Sequence, residues 1–230
     1  MTGPGPADKV GLVRTWIHDP LLVLASFGAV AAFLGVARVS RGWSADTRRK
    51  WLHVSVGAWV LFVTPRFAHL AWALVPPVVS IAVNASRLLR GSFPELADEP
   101  GASRGLWTFP LGIALAYLLF WHDAGRAPIL AGVAALTFAD PAAALVGRRF
   151  GQRRFRGFGF GRSVEGSIAF FVVAALACGW TASHAAPALP FLRFALGCGA
   201  AGAVVEAMAP PGWDNVAIPL AVAAAYSVLG

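Results

Sequence analysis

Eight mainly apolar stretches, each about 14 to 20 residues long, follow one another through the chain: 20–37, 51–64, 67–85, 106–121, 128–146, 164–183, 190–209 and 215–229. A helix needs about 20 such residues to cross the hydrocarbon of a bilayer, and about 17 suffice at the short end. Lipid offers no partner to backbone N–H and C=O groups, so segments of this kind cross as helices unless they alternate as barrel strands do. No alternation is visible. The expected fold class is all-α, a polytopic transmembrane bundle of seven or eight helices, the second, fourth and last stretches being short. Residues 1–19 read as a short N-terminal arm and 20–230 as a single transmembrane catalytic domain. The first apolar stretch is too long for a signal-peptide core, and it reads as a retained helix.

Composition agrees, with 57% hydrophobic and 13% charged residues among 230, far from the balance of a soluble domain. The formal net charge of +8 raises the question of nucleic acid, and the placement of the cations answers it. With eight helices and the N-terminus outside, most Lys and Arg fall on one side, at 38–50, 87–104 and 148–162, leaving Lys9, Arg14, Arg66, Arg126 and Arg193 opposite. That asymmetry is the positive-inside signal. It places the basic rim in the cytoplasm, with the protein in the cell's inner membrane, and calls for no nucleic acid.

Ionisable groups in or beside membrane helices are costly, and each is a candidate functional group. Lys50 and His53 open the second helix, Asp140 lies near the inner end of the fifth, Glu165 opens the sixth, Glu206 closes the seventh, and Asp214 with Asn215 begins the eighth. All fall at the basic rim, whereas the other side supplies Asp8, Asp19 and Asp123 in loops. Asp140 shares a helical face with Gly147 and Arg148, so an ion pair with Arg148 or Arg149 is one expectation. Pro141 directly after it suggests a kinked or broken helix. In RRFRGFGFGRSVEGS, residues 153–167, glycines and arginines precede Ser163, a candidate N-cap, and the helix start that follows favours phosphate. The loop reads as a polyphosphate cradle or as a basic loop on anionic lipid, and the P-loop pattern is absent. Asp214 and Glu206 are hard oxygen donors suited to Mg²⁺, with helix capping the plain alternative for Asp214. Lys50, His53 and Gly57 share one face, offering a cation, a possible general base and a site of close helix approach. Cys178 and Cys198 lie in apolar stretches and read as small hydrophobes.

Taken in order, these segments resemble the polyprenol kinase family: dolichol kinases, phytol and farnesol kinases, and CTP-dependent diacylglycerol kinases. Arg49, Lys50, His53 and Gly57 match its Arg-Lys-x-x-His-x-x-x-Gly motif. Asp140, Ala143 or Ala144, Gly147, Arg148 and Gly151 match Gly-Asp-x-x-Ala followed by Gly-Arg-x-x-Gly. Arg162, Ser163, Glu165, Gly166 and Ser167 meet Lys-Ser-x-Glu-Gly-Ser, and Glu206, Asp214, Asn215 and Pro219 meet the final Glu and Asp-Asn-x-x-x-Pro. Ala139 stands where the family has Gly, and Arg162 where it has Lys. The resemblance implies transfer of the terminal phosphate of CTP to the hydroxyl of a membrane lipid alcohol, a prenol or diacylglycerol, taken from the lipid bilayer. It implies Mg²⁺ on Asp140 and Asp214. Lys50, Arg148, Gly161, Arg162, Ser163, Glu165, Gly166 and Asn215 would bind nucleotide and phosphates, and His53 or Glu206 would orient or deprotonate the alcohol. A CDP-diacylglycerol synthase is similar through the middle of the chain, but its acidic Lys-Asp and His-Gly-Gly ending is missing. Two further classes remain: a transporter, which predicts ionisable groups near mid-membrane rather than at one rim, and a non-catalytic lipid-binding scaffold.

Overall fold

The computed structural model describes residues 6–86, 102–122, 126–157, 160–185 and 190–230. The expected inner-loop cations Arg87 and Arg90, the outer Asp123 and residues 158 and 159 of the glycine-rich loop lie outside them. Among the described residues there are eight helical rods. They are α1 (Pro6–Val39), α2 (Ala45–Val63), α3 (Leu70–Ala85), α4 (Ala102–Phe120), a fifth rod built of α5 (Ala127–Ala134), a π-helical turn (Ala135–Ala139) and α6 (Asp140–Phe150), then α7 (Val164–Ala185), α8 (Phe191–Met208) and α9 (Asp214–Leu229). The protein is an all-α helical membrane protein. Residues 17–39, 127–150, 164–185 and 191–208 are long and apolar enough to cross a membrane, and α3, α4 and α9 are shorter apolar helices. Among the described residues the departure from helix is a two-stranded antiparallel hairpin, β1 (Arg154–Gly157) with β2 (Phe160–Ser163), at the place where a loop was expected.

Two boundaries differ from the sequence reading for simple reasons. Helix α1 starts at Pro6 and carries Pro20 in its interior, so most of the expected arm continues the first helix. Asp19, expected in an outer loop, is fully buried on that helix and accepts hydrogen bonds from Ala68 N and His69 N at 3.0 Å and from His69 Nδ1 at 2.8 Å. A polar outer carboxylate thus becomes the clamp that ties α1 to the turn between α2 and α3.

The fifth rod is the axis of the bundle. Its residues Ile129, Ala131, Val133, Ala135, Leu136 and Ala139 are fully buried, with α2, α4, α7 and α9 packed around it. Because lipid is as apolar as the side chains, helices in a bilayer associate through close packing, and small residues permit it. A Cβ at Gly132 would strike the carbonyl oxygen of Pro219, and one at Gly112 the carbonyl oxygen of Asn215, so α5 and α4 both lie directly against the backbone of α9. Gly57 likewise meets the side chain of Thr137, which brings α2 onto the π turn, the close approach expected of Gly57. The outward surface is apolar: Ile168, Val172, Leu176 and Trp180 recur every fourth residue down α7 and are 46–61% exposed. A stripe of that length and composition is suited to lipid rather than to water.

Candidate active site

Proline at 141 explains the local shape of the fifth rod. In a π turn each carbonyl looks to the N–H five residues on, and for Leu136 that partner is Pro141, which has no hydrogen to give. The orphaned carbonyl of Leu136 is met from another helix by Nε2 of His53, at 2.9 Å. A carbonyl only accepts, so Nε2 carries the proton and Nδ1 of neutral His53 keeps its lone pair. The break expected from the Asp-Pro pair is therefore present as a widened turn, immediately before Asp140 rather than after it.

Around that turn a cavity of about 520 Å³ opens between α1, α2, α3, α4, α6 and the start of α9. One end is polar, lined by Asp46, Lys50, His53, Asp140, Arg148, Asp214 and Asn215. Chain segments nearly a hundred and seventy residues apart, from Asp46 to Asn215, thus meet in one place. Gly212, in the turn leading to α9, also lines it and holds a φ of 86°, a left-handed conformation that glycine adopts without steric cost. Asn84 reaches Leu106 O with its amide at 2.6 Å, joining α3 to α4 at the same end.

Asp46 is the residue that the sequence reading missed. It pairs with Lys50 one turn on, with Arg49 at 3.6 Å and with Arg148 of α6 at 3.1 Å. Burial pushes its carboxyl up, but Lys50 and Arg148 outweigh that and hold it below the ordinary carboxylate value. The i, i+4 spacing to Lys50 was the available signal. These contacts correct the expected neutralisation of Asp140 by Arg148 or Arg149, since the Arg148 guanidinium is turned to Asp46.

Arg162, at the end of β2, holds two carboxylates at once. Its Nη1 lies 2.8 Å from Oε1 of Glu206 and its Nη2 lies 3.3 Å from Oδ2 of Asp214. Glu206 is 2% exposed and also accepts from Ser167 Oγ at 3.3 Å. The fork geometry of arginine fits this double pairing, which a single ammonium would meet less well. In this arrangement Glu206 fixes Arg162, while His53 lines the cavity beside Lys50 and Arg148.

The remaining candidates have structural partners. Ser163 Oγ accepts from Gly166 N at 3.1 Å and so caps α7 as expected. Gly166 presses on the carbonyl of Ala143, and Gly147 and Gly151 on the side chain of Ser163, all close enough that an added Cβ would stand within 2.9 Å of its neighbour. Gly147 and Gly151 thus dock the end of α6 against the hairpin, and Gly166 docks α7 against α6. Glu165 accepts from Arg153 N at 3.2 Å, closing the base of the hairpin. Gly161 is exposed with open space beside it. Asn215 is buried and gives its amide to Thr108 Oγ1 at 3.3 Å, tying α9 to α4.

With this geometry in view, comparison with known proteins points in one direction. The chain is similar to a phytol kinase of Synechocystis sp.. The two are 29% identical over 189 residues, which takes in 76% of this chain and 76% of the relative. No family model matches the chain, and no solved structure does. The similarity to that kinase accords with a cavity that has one ionic end and one apolar end.

Proposed function

We propose that the protein is a lipid kinase of the membrane, transferring the terminal phosphate of CTP to the hydroxyl of a prenol-type alcohol at its cytoplasmic rim. The observation that carries this reading is the two-ended cavity. Its ionic end offers cations for phosphates beside carboxylates, and its long apolar remainder suits a chain drawn from the bilayer. The similarity to a phytol kinase supports the same chemistry, and the excess of cations at this rim supports a cytoplasmic orientation.

Phosphoryl transfer asks for positioning and charge neutralisation more than for covalent chemistry. Lys50 and Arg148, both paired with Asp46, would take the phosphates. His53, with Nε2 committed to Leu136 O and its ring lining the cavity, would use Nδ1 to receive or orient the proton of the alcohol. Asp140 and Asp214 both line the ionic end. Mg²⁺ is commonly held by one or two carboxylates together with substrate phosphates, and these two fit that modest demand. When bound, the ion would supply neutralisation of the phosphate charge.

Purified protein incubated with Mg²⁺, γ-labelled CTP and a lipid mixture containing both prenols and phosphatidate should yield labelled prenyl phosphate. Label recovered as pyrophosphate instead would support the CDP-diacylglycerol synthase reading and sink this one. Replacing His53 by Gln keeps a donor for Leu136 O but removes the base. Turnover is expected to fall about a hundredfold or more, within the range of general-base loss, while KM and thermal stability stay near wild type. Unchanged turnover would exclude His53 from proton handling.

A further inference from the structure

The apolar part of the cavity has a floor. Its walls run the full height of three helices, from Asp46 to Val63 on α2, from Asn84 back to Ala73 on α3 and from Gly105 to Tyr117 on α4, and it ends among Val63, Phe67 and Tyr117. These three residues are 2–3% exposed. Behind them lies a buried polar knot. Thr64 Oγ1 gives its proton to Val60 O at 2.6 Å and so accepts from Tyr117 OH, also at 2.6 Å. Arg126 donates to Thr64 O at 3.0 Å and to Phe67 O at 2.6 Å, with its guanidinium 4.0 Å from the ring of Trp121. Polar groups satisfied in this way hold their geometry firmly, because each broken bond would leave a group unpaired in an apolar setting.

We propose that the Tyr117–Thr64–Arg126 knot, faced by Phe67 and Val63, is a stop that limits how long an acceptor chain the protein takes. The inference rests on the kinase reading for the level at which the hydroxyl sits, beside His53. From His53 to Val63 is ten residues of helix, or about 15 Å. An extended chain advances about 1.2 Å per bond, as the three backbone bonds of a residue do over about 3.6 Å. The channel therefore holds about twelve bonds, which is the main chain of a three-unit isoprenoid, with a fourth unit at its limit when the chain is bent. Polyprenols of many units exceed it. Val60, about one turn above Val63, and Ile113 line the channel just before the floor.

The test measures binding, so that it does not depend on catalysis. Protein in nanodiscs is equilibrated with a photoreactive three-unit prenol, competed by isoprenoid alcohols of two, three, four and six units. The six-unit alcohol should compete on the order of tenfold or more weakly than the three-unit one, the scale at which a closed pocket rejects surplus chain. Val60→Trp, which leaves the knot in place, should raise the floor by about one helical turn and shift the cut-off down by about one unit, sparing the two-unit alcohol. Tyr117→Ala should admit the six-unit alcohol, and Tyr117→Phe, which keeps the ring but loses its bond to Thr64, should blunt the cut-off part of the way. Equal competition at all lengths in the wild type, or uniform weakening at all lengths in Val60→Trp, would overturn the stop. A sharp cut-off without any transfer of label from nucleotide would leave the stop standing and remove the kinase reading. Transfer without a cut-off would do the reverse.

Discussion

Replacing Asp140 by asparagine is expected to lower phosphate transfer by about a few hundredfold while the protein still inserts and unfolds at its usual temperature. The substitution preserves size and removes one charge from the ionic end of the cavity, where Asp140 faces Asp214 and Lys50 among the lining residues. A preorganised charge in a site closed to water is worth about 3–4 kcal/mol to the reaction, and about 1.4 kcal/mol is a factor of ten. Asp140→Glu, which restores the charge at a longer reach, should recover part of the loss. The measurement is turnover in a reconstituted bilayer, with thermal unfolding in detergent as the control. Wild-type turnover in Asp140→Asn would remove Asp140 from the site.

Arg162→Ala should have the largest effect on stability. It strips the partner from Glu206, which is 2% exposed and whose other bond is a single hydroxyl from Ser167. Breaking a buried ion pair on one side costs about 3–5 kcal/mol, because the remaining charge is left uncompensated. A double variant, Arg162→Ala with Glu206→Gln, should therefore recover much of the lost stability without recovering activity, since Asp214 would still lack its cation. Arg162→Lys keeps the charge but can no longer reach both carboxylates with a rigid fork, and it should fall between. Thermal unfolding of the four proteins under one detergent condition decides the matter. Equal stability of Arg162→Ala and wild type would show that the pair contributes nothing to folding.

How far the sequence reached depends on what kind of information each feature carries. Helix placement was legible because a bilayer demands long apolar runs, and the observed rods follow the expected stretches to within about four residues except at the starts of α1 and α2. The gathering of Lys50, His53, Asp140 and Asp214 at one end was legible because the crossing pattern alone sends those positions to the same rim. Pairings were not. Arg148 turns to Asp46 rather than to Asp140, and Arg162 reaches back to Glu206 and Asp214. Both choices depend on helix rotation and spacing, which a linear pattern leaves open. The hairpin in place of a loop and the burial of Asp19 have the same origin: tertiary partners supplied what local propensity did not. The apolar channel could not have been read at all, for its walls belong to helices that each look like any other membrane helix.

The π turn before Asp140 gives the fifth rod a property that a uniform helix lacks. It amounts to one residue more than an α-helix needs over that distance, and one residue is about 100° of rotation. The upper half can therefore present Gly132 to α9 while the lower half independently aims Asp140 at the cavity. Packing and chemistry on one continuous element are set by separate registers. Deleting a single residue between Ala135 and Ala139 would keep every side chain of the lower half and point all of them the wrong way.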